Sequence, residues 1–218
     1  MTTASLNGIR LTECVVHIPR AGAWHADVHV DTTDTSKVTG SVTLLIGDSL
    51  TLKGTIRRAD VWRGVVVARV TAGAGGLGKT AFPQGYASTT AKIVIGDIAA
   101  LAGETVSSTS SSSLLSTTLA SWMRARSVCG NALRTVVDQI GATWRHLPDG
   151  SIWIGTEVWP DSGIVKYQLL EKDPQDGHWI IDGDSPALMP GTLLTGGKVG
   201  RVMYRLAASR VRTEVWFE

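Results

Sequence analysis

The residues whose types and spacing come closest to a known chemistry lie at 73–80. There Gly73-Ala74-Gly75-Gly76-Leu77-Gly78-Lys79-Thr80 spells G-x-x-x-x-G-K-T after the apolar run 65–70. In a nucleotide-binding loop the backbone N–H groups of such a segment wrap phosphates, and Gly78, Lys79 and Thr80 would be the binding residues. That chemistry needs a helix opening at the Lys-Thr, because the helix N-terminus supplies donors and dipole. Here Pro83 and Gly85 stand where the helix should run, and the flanking sequence alternates as antiparallel strands do. The spacing therefore predicts a plain glycine loop, and no cofactor is implied.

A second pattern is His25, Asp27 and His29 within Trp24-His25-Ala26-Asp27-Val28-His29-Val30. On a strand these alternate residues share one face and could present three ligands to zinc or another divalent ion. The same alternation is what an amphipathic strand requires, with Trp24, Ala26, Val28 and Val30 inward and the polar residues in water. No further ligand is identifiable, so no metal is expected. No Gly-x-Ser-x-Gly elbow occurs, and His17, His146 and His178 have no nucleophile placed beside them by any motif. Asp161, Asp173, Asp176, Asp182 and Asp184 sit among Gly, Pro and Ser as solvated turn formers. Eight Trp against three Tyr and two Phe is an unusual balance that suits sugar stacking or a protein interface. Trp24, Trp144, Trp153 and Trp216 nevertheless occupy positions consistent with a core. No active site is expected, and the chain reads as non-enzymatic.

The elements that would carry these residues are mainly strands. Between Leu6 and Val70 the apolar residues recur at period two, with Gly40, Gly47-Asp48, Gly54 and Arg63-Gly64 as punctuation, which predicts a small antiparallel barrel. Residues 73–78 form a long loop, and 81–85 are turn-like. Ile93-Val94-Ile95 precedes a short helix capped by Asp97 and ended by Gly103. The serine run within 105–114 predicts a flexible linker. Leu115, Leu119, Trp122 and Met123 fit one helical stripe, and Leu133, Val136, Val137 and Ile140 a second that opens at Asn131 and closes at Gly141. Thr143–Leu147, Pro148-Asp149-Gly150 and Ser151–Gly155 read as a hairpin. Alternation returns from Gly163 to Phe217.

The fold class expected is mainly β with a small α+β insertion: two small antiparallel β-barrel-like domains joined by a two-helix and hairpin segment. The corresponding segments are 1–90, 91–160 and 161–218. With 218 residues, 43% hydrophobic and 18% charged, the chain can bury a core. A formal charge of +2 provides no basic stripe for nucleic acid. No stretch approaches a bilayer span, and Met1-Thr2-Thr3-Ala4-Ser5 lacks the basic and apolar regions of a signal peptide, which implies a cytoplasmic start. Cys14 and Cys129 read as small buried hydrophobes.

Taken in order, three segments resemble the tail or baseplate hub proteins of tailed bacteriophages, the group similar to late control protein D. Trp62–Val70 followed by the Gly-Ala-Gly-Gly-Leu loop is similar to the close of the first hub barrel. Ile93–Gly103 and Asn131–Gly141 resemble the two short helices that lead into a hairpin. Leu188-Met189-Pro190-Gly191-Thr192, Gly197–Val202 and Arg212–Val215 resemble the last strands of the second barrel. The resemblance implies an architectural role: a homotrimeric ring at the tail tip, joining the tube or distal tail protein to a spike or central fibre. It places the protein in the virion after assembly in the host cytoplasm. Loops such as 73–87, with Gly75, Gly76, Leu77, Phe82 and Tyr86, would then contact neighbouring subunits. Two rival readings are a nucleotide-binding protein using the 73–80 loop and a carbohydrate-binding module using exposed Trp.

Overall fold

The computed structural model describes residues 4–47, 50–164, 166–182, 188–207 and 210–218. Asp48 and Asp184, both read above as turn formers, lie outside these residues. The chain divides into two compact units, Met1–Ala72 with Val158–Glu218, and Gly73–Glu157.

In the first unit, β1 (Ala4–Leu6), β2 (Ile9–Pro19), β3 (His25–Val30), β4 (Ser41–Ile46), β5 (Leu50–Trp62) and β6 (Val65–Ala72) close a six-stranded antiparallel barrel. Closure is achieved by β1, which pairs with β4 along one side and with the start of β2 along the other. The period-two pattern becomes a strict in–out alternation: Ala26, Val28 and Val30 are buried on β3, and Val42, Leu44 and Ile46 on β4. Arg63 and Gly64 turn the β5–β6 hairpin, both in the left-handed region at φ 49° and 83°, the geometry that matches strand twist.

Gly54 differs from its reading as punctuation. It lies inside β5, where an added Cβ would run into the Thr71 carbonyl oxygen and come within 2.7 Å of the Trp24 ring. The glycine is there because the fully buried Trp24 indole crosses the strand at that point.

The second unit contains β7 (Thr80–Ala81), β8 (Gln84–Thr90), α1 (Ala91–Ala102), α2 (Ser112–Leu115), β9 (Thr118–Arg124), β10 (Ser127–Val128), α3 (Cys129–Gln139), β11 (Thr143–His146) and β12 (Ile152–Gly155). The β11–β12 hairpin forms as expected, and α3 matches the second helical stripe to within two residues at each end. Three readings are corrected here. Residues 93–95 belong to α1, which begins at Ala91 and leaves Asp97 mid-helix. Packing of Val94, Ile95, Ile98 and Ala102 into the core outweighs the β-branched run. The stripe at 115–123 belongs largely to a strand, β9, paired with β8 over residues that had read as turn. Ser88, at φ 47°, interrupts the pleat of β8, and Leu119 and Trp122 on β9 are both buried three residues apart, a spacing that imitates a helix. The serine run is not a free linker. Its backbone runs beside β12, with Ser107 and Ser111 N–H donating to the Ile152 and Ile154 carbonyls, and Ser110 Oγ accepting from Ile154 N–H at 3.1 Å.

The chain then returns to the first unit with β13 (Gln168–Asp173), β14 (His178–Asp182), β15 (Leu193–Leu194), β16 (Gly197–Ala207) and β17 (Arg210–Phe217). Where the sequence pattern had these strands completing a second barrel-like domain over 161–218, the register joins them to the first. β16 pairs with β2 from Arg201 against Pro19 to Leu206 against Cys14, and β17, β14 and β13 follow outward. The unit boundaries accordingly fall at 72/73 and 157/158 rather than at 90 and 160, because Ala81 and Tyr86 spend their apolar surface on the core of the second unit. The architecture is mainly β with a small α insertion, as the alternation implied. Cys14 and Cys129 are both buried and free, and burial with the nearby Asp27 charge pushes the Cys14 thiol up to about 12. Among the described residues no helix is long and apolar enough to cross a membrane.

The Gly54 packing is testable. Gly54→Ala should lower unfolding free energy by about 1–3 kcal/mol through overpacking, read as a lower urea midpoint with an unchanged slope.

Candidate functional site

The glycine loop is built around an internal anion. Gly75, left-handed at φ 72°, leads into a 3-10 turn over Gly76–Gly78, and the chain continues into β7 instead of a helix. The Glu104 carboxylate, next after the glycine that ends α1, reaches under the loop. Its Oε2 accepts from Ala74 N–H at 2.9 Å and its Oε1 from Gly76 N–H at 3.0 Å. His146 of β11 closes the other side, with Nε2 at 3.4 Å from Oε2, and both side chains are essentially solvent-free. Lys79 Nζ donates to the Ala102 carbonyl at 3.2 Å. A carboxylate of the chain itself thus occupies the position that a phosphate takes in a nucleotide-binding loop.

Gly78, Lys79 and Thr80, the residues a nucleotide would use, lie in this same loop. Two donors of the loop are engaged by Glu104, the lysine is spent on a helix C-terminus, and the N-terminus of α3 is engaged by the loop's own backbone, Cys129 N–H donating to the Lys79 carbonyl at 2.9 Å. The five interface candidates lie in this loop and in the strand region that follows it. Gly75 and Gly76 are buried, and a Cβ on Gly76 would collide with the Ala102 carbonyl. Leu77 packs on the core of the second unit. The Tyr86 hydroxyl donates to Asp97 at 3.1 Å and its ring lies 5.7 Å from that of Trp122. Of the five, only Phe82 presents a largely exposed apolar side chain, at 63%.

His25, Asp27 and His29 do share the outer face of β3, but each is turned to a different partner. His25 stacks on His17 with ring centroids 4.8 Å apart. Asp27 accepts two hydrogen bonds from the Arg69 guanidinium, at 2.8 and 2.5 Å. His29 Nδ1 lies 3.4 Å from Glu13 Oε2. Among the described residues no group of three His, Cys, Asp or Glu side chains converges as a metal site. The Arg69 hydrogen bond outweighs partial burial and holds the Asp27 carboxyl below its ordinary range. His25 is pushed down by burial and by the neighbouring His17 and Arg69 charges.

Sequence reasoning missed the Glu104–His146 clamp. The two residues are 42 positions apart and belong to no motif, and the only local sign was a carboxylate directly following a helix-ending glycine. Of the four Trp assigned to a core, Trp24 is fully buried, while Trp144, Trp153 and Trp216 are half-buried. Trp62, not singled out before, is 51% exposed at the end of β5.

The sequence matches no protein-family description and no curated protein. Solved structures do share its fold along nearly the whole chain. A 43 kDa tail protein of prophage MuSo2 from Shewanella oneidensis superposes with a TM-score of 0.67 at 8% identity, covering 98% of this chain and 96% of that one. A tail protein from Neisseria meningitidis MC58 superposes at 0.64 with 12% identity, covering 98% and 95%. The E. coli c3393 protein is described as a type VI secretion system component with structural similarity to the T4 bacteriophage tail proteins gp27 and gp5. It superposes at 0.70 with 10% identity, covering 97% and 75%. The fold is therefore one found in phage tail proteins and in a secretion-system component.

The clamp makes two predictions. Burial alone would raise the Glu104 carboxyl, but His146 and the Ala74 and Gly76 N–H groups outweigh it and hold it below the ordinary value of 4.5. A depressed carboxylate contributes stability above its unfolded pKa and loses it as pH falls through its folded pKa. Stability should therefore decline below pH about 4.5, and Glu104→Gln should remove this part of the slope in acid denaturation curves. Glu104→Ala, which orphans two buried donors, should cost about 2–4 kcal/mol in urea unfolding at neutral pH. Magnesium with ATP should leave the melting temperature unchanged in both the parent and Lys79→Ala.

Proposed function

We propose that this protein is a non-catalytic structural component of a phage tail or a related injection machine, and in particular a hub of the late control protein D kind. In this reading the chain forms a homotrimeric ring at the tail tip or baseplate. The ring joins the tail tube or distal tail protein on one side to a spike or central fibre on the other, and takes its place in the virion after assembly in the host cytoplasm.

The observation that carries the proposal is the mutual coverage of the fold match, 98% of this chain against 96% of a prophage tail protein. A shared sub-domain, such as a small barrel, would host many unrelated functions. Agreement through the barrel, the inserted helices and the returning strands is a more demanding likeness. The chemistry agrees, since the most motif-like segment of the chain is filled by its own Glu104. A closed barrel with a hydrogen-bonded sheet extension is also a stiff unit, as a ring that bears axial load requires.

Light scattering on the purified protein tests the ring. A solution mass three times the 23.1 kDa of one chain is expected. A single-chain mass that does not rise when the cognate tube protein is added would overturn it.

A further inference from the structure

The outer face of the barrel where β3, β6 and β5 lie side by side carries a groove of about 660 Å³. Strand register sets its contents in rows. Asp27 is opposite Arg69, which is opposite Arg58; His29 is opposite Val67, which is opposite Asp60; Trp62 closes the row at Val65. Val67 is the apolar side chain of β6 lining this face, Ala68 lines the groove while belonging to the barrel core, and the other lining residues are polar or aromatic.

Three features of this face bear on what it could hold. The first is Trp62. It lines the groove while half exposed, with the Arg63 guanidinium over its ring at 4.4 Å and His29 meeting it edge-on at 6.1 Å. An indole held this way offers a flat apolar surface with little side-chain entropy left to lose on binding.

The second is the arrangement of charge. Arg69 is bound bidentately by Asp27, and the Arg58 Nε donates to Asp60 at 2.6 Å. Each guanidinium lining the groove is neutralised by its own carboxylate, so the charges of its lining residues balance. A groove with no surplus charge has little to gain from a phosphate, an acidic peptide or a cation. The paired planar groups still have unfilled donor and acceptor edges, fixed in direction by their mutual bonds.

The third is rigidity. All the polar groups stand on strands of a closed barrel rather than on loops, which fixes their spacing.

We propose that this face is a binding site for a neutral oligosaccharide, with the C–H face of one sugar ring stacked on Trp62 and neighbouring hydroxyls engaged by the Asp27–Arg69 and Arg58–Asp60 pairs. A pyranose has the complementary chemistry: one apolar face, a rim of adjacent hydroxyls that both donate and accept, and no charge. The groove is open and shallow, which suits a ligand that lies along a surface with one face left in solvent. An apolar peptide or helix would bury the charged edges without satisfying them, at a desolvation cost the single Val67 side chain cannot offset. A tail component with such a site would hold a surface glycan as well as making structural contacts.

Calorimetric titration of the intact protein with maltotetraose, cellotetraose and chitotetraose (the N-acetylglucosamine tetramer) tests this. At least one should bind saturably at millimolar concentration or below, with an affinity that does not change between low and high salt. Trp62→Ala should weaken it by at least about tenfold, and Asp27→Asn, which keeps the size but unbalances the Arg69 pair, by a smaller factor. Both side chains are on the surface, so melting temperatures near the parent's are expected and separate lost binding from lost folding. Absence of saturable heat with all three sugars overturns the proposal. So does binding unaffected by Trp62→Ala, or binding only to an anionic polymer such as hyaluronan with strong salt dependence.

Discussion

Strand β2 is the constraint on which the first unit depends, because it is asked to satisfy three neighbours. Its first residues, Ile9 and Arg10, pair with β1 and complete the barrel. Its middle, from Leu11 to His17, pairs with β3 on one edge. Its last six residues, Cys14 to Pro19, pair with β16 on the other. The edge that β1 would need for a longer pairing is thus given to the returning strands. A register slip of one residue in β2 would turn Cys14, Val16 and Ile18 to solvent and displace both the barrel seam and the extension. The shift between Leu11 and Glu13 in the β2–β3 pairing is where the strand bends to serve both.

The second unit solves a different problem with similar economy. Its helices α1 and α3 and the β11–β12 hairpin share a small core of Val94, Ile95, Ile98, Leu133, Val136, Ile152 and Ile154. A glycine loop at its start would leave N–H groups facing a buried region. Glu104 satisfies that loop from below with His146 beside it, and the buried carboxylate is tolerable in a solvent-free place because each of its oxygens has its own N–H donor. The same contacts engage two of the N–H groups that a phosphate would need. The likeness to tail proteins and the chemistry of the loop are therefore parts of one picture: the glycines are used for close packing.

Local pattern was informative where one face of an element alone decides its state. The alternation of β3 and β4, the Arg63-Gly64 turn, the 143–155 hairpin and the stripe of α3 were readable because each is an amphipathic element bounded by turn residues. It misled where an element owes its state to a partner. β9 looked helical because Leu119 and Trp122 are both buried three apart against α1 and β8. The serine segment looked free because nothing in it announces that β12 lends it carbonyls.

The amino-acid sequence by itself determined the class of this protein, mainly β with a small α insertion, since period-two burial and glycine turns are properties of neighbouring residues. It also determined that the G-x-x-x-x-G-K-T segment lacks a following helix. Only the tertiary structure decided the rest. That β16 takes the edge of β2 is a pairing between residues nearly two hundred positions apart. That Glu104 fills the glycine loop, and that Trp62, Asp27 and Arg69 meet on one face, depends on register across three strands. Such encounters are set by the closure of the barrel and the packing of the second core, which no single stretch of sequence encodes.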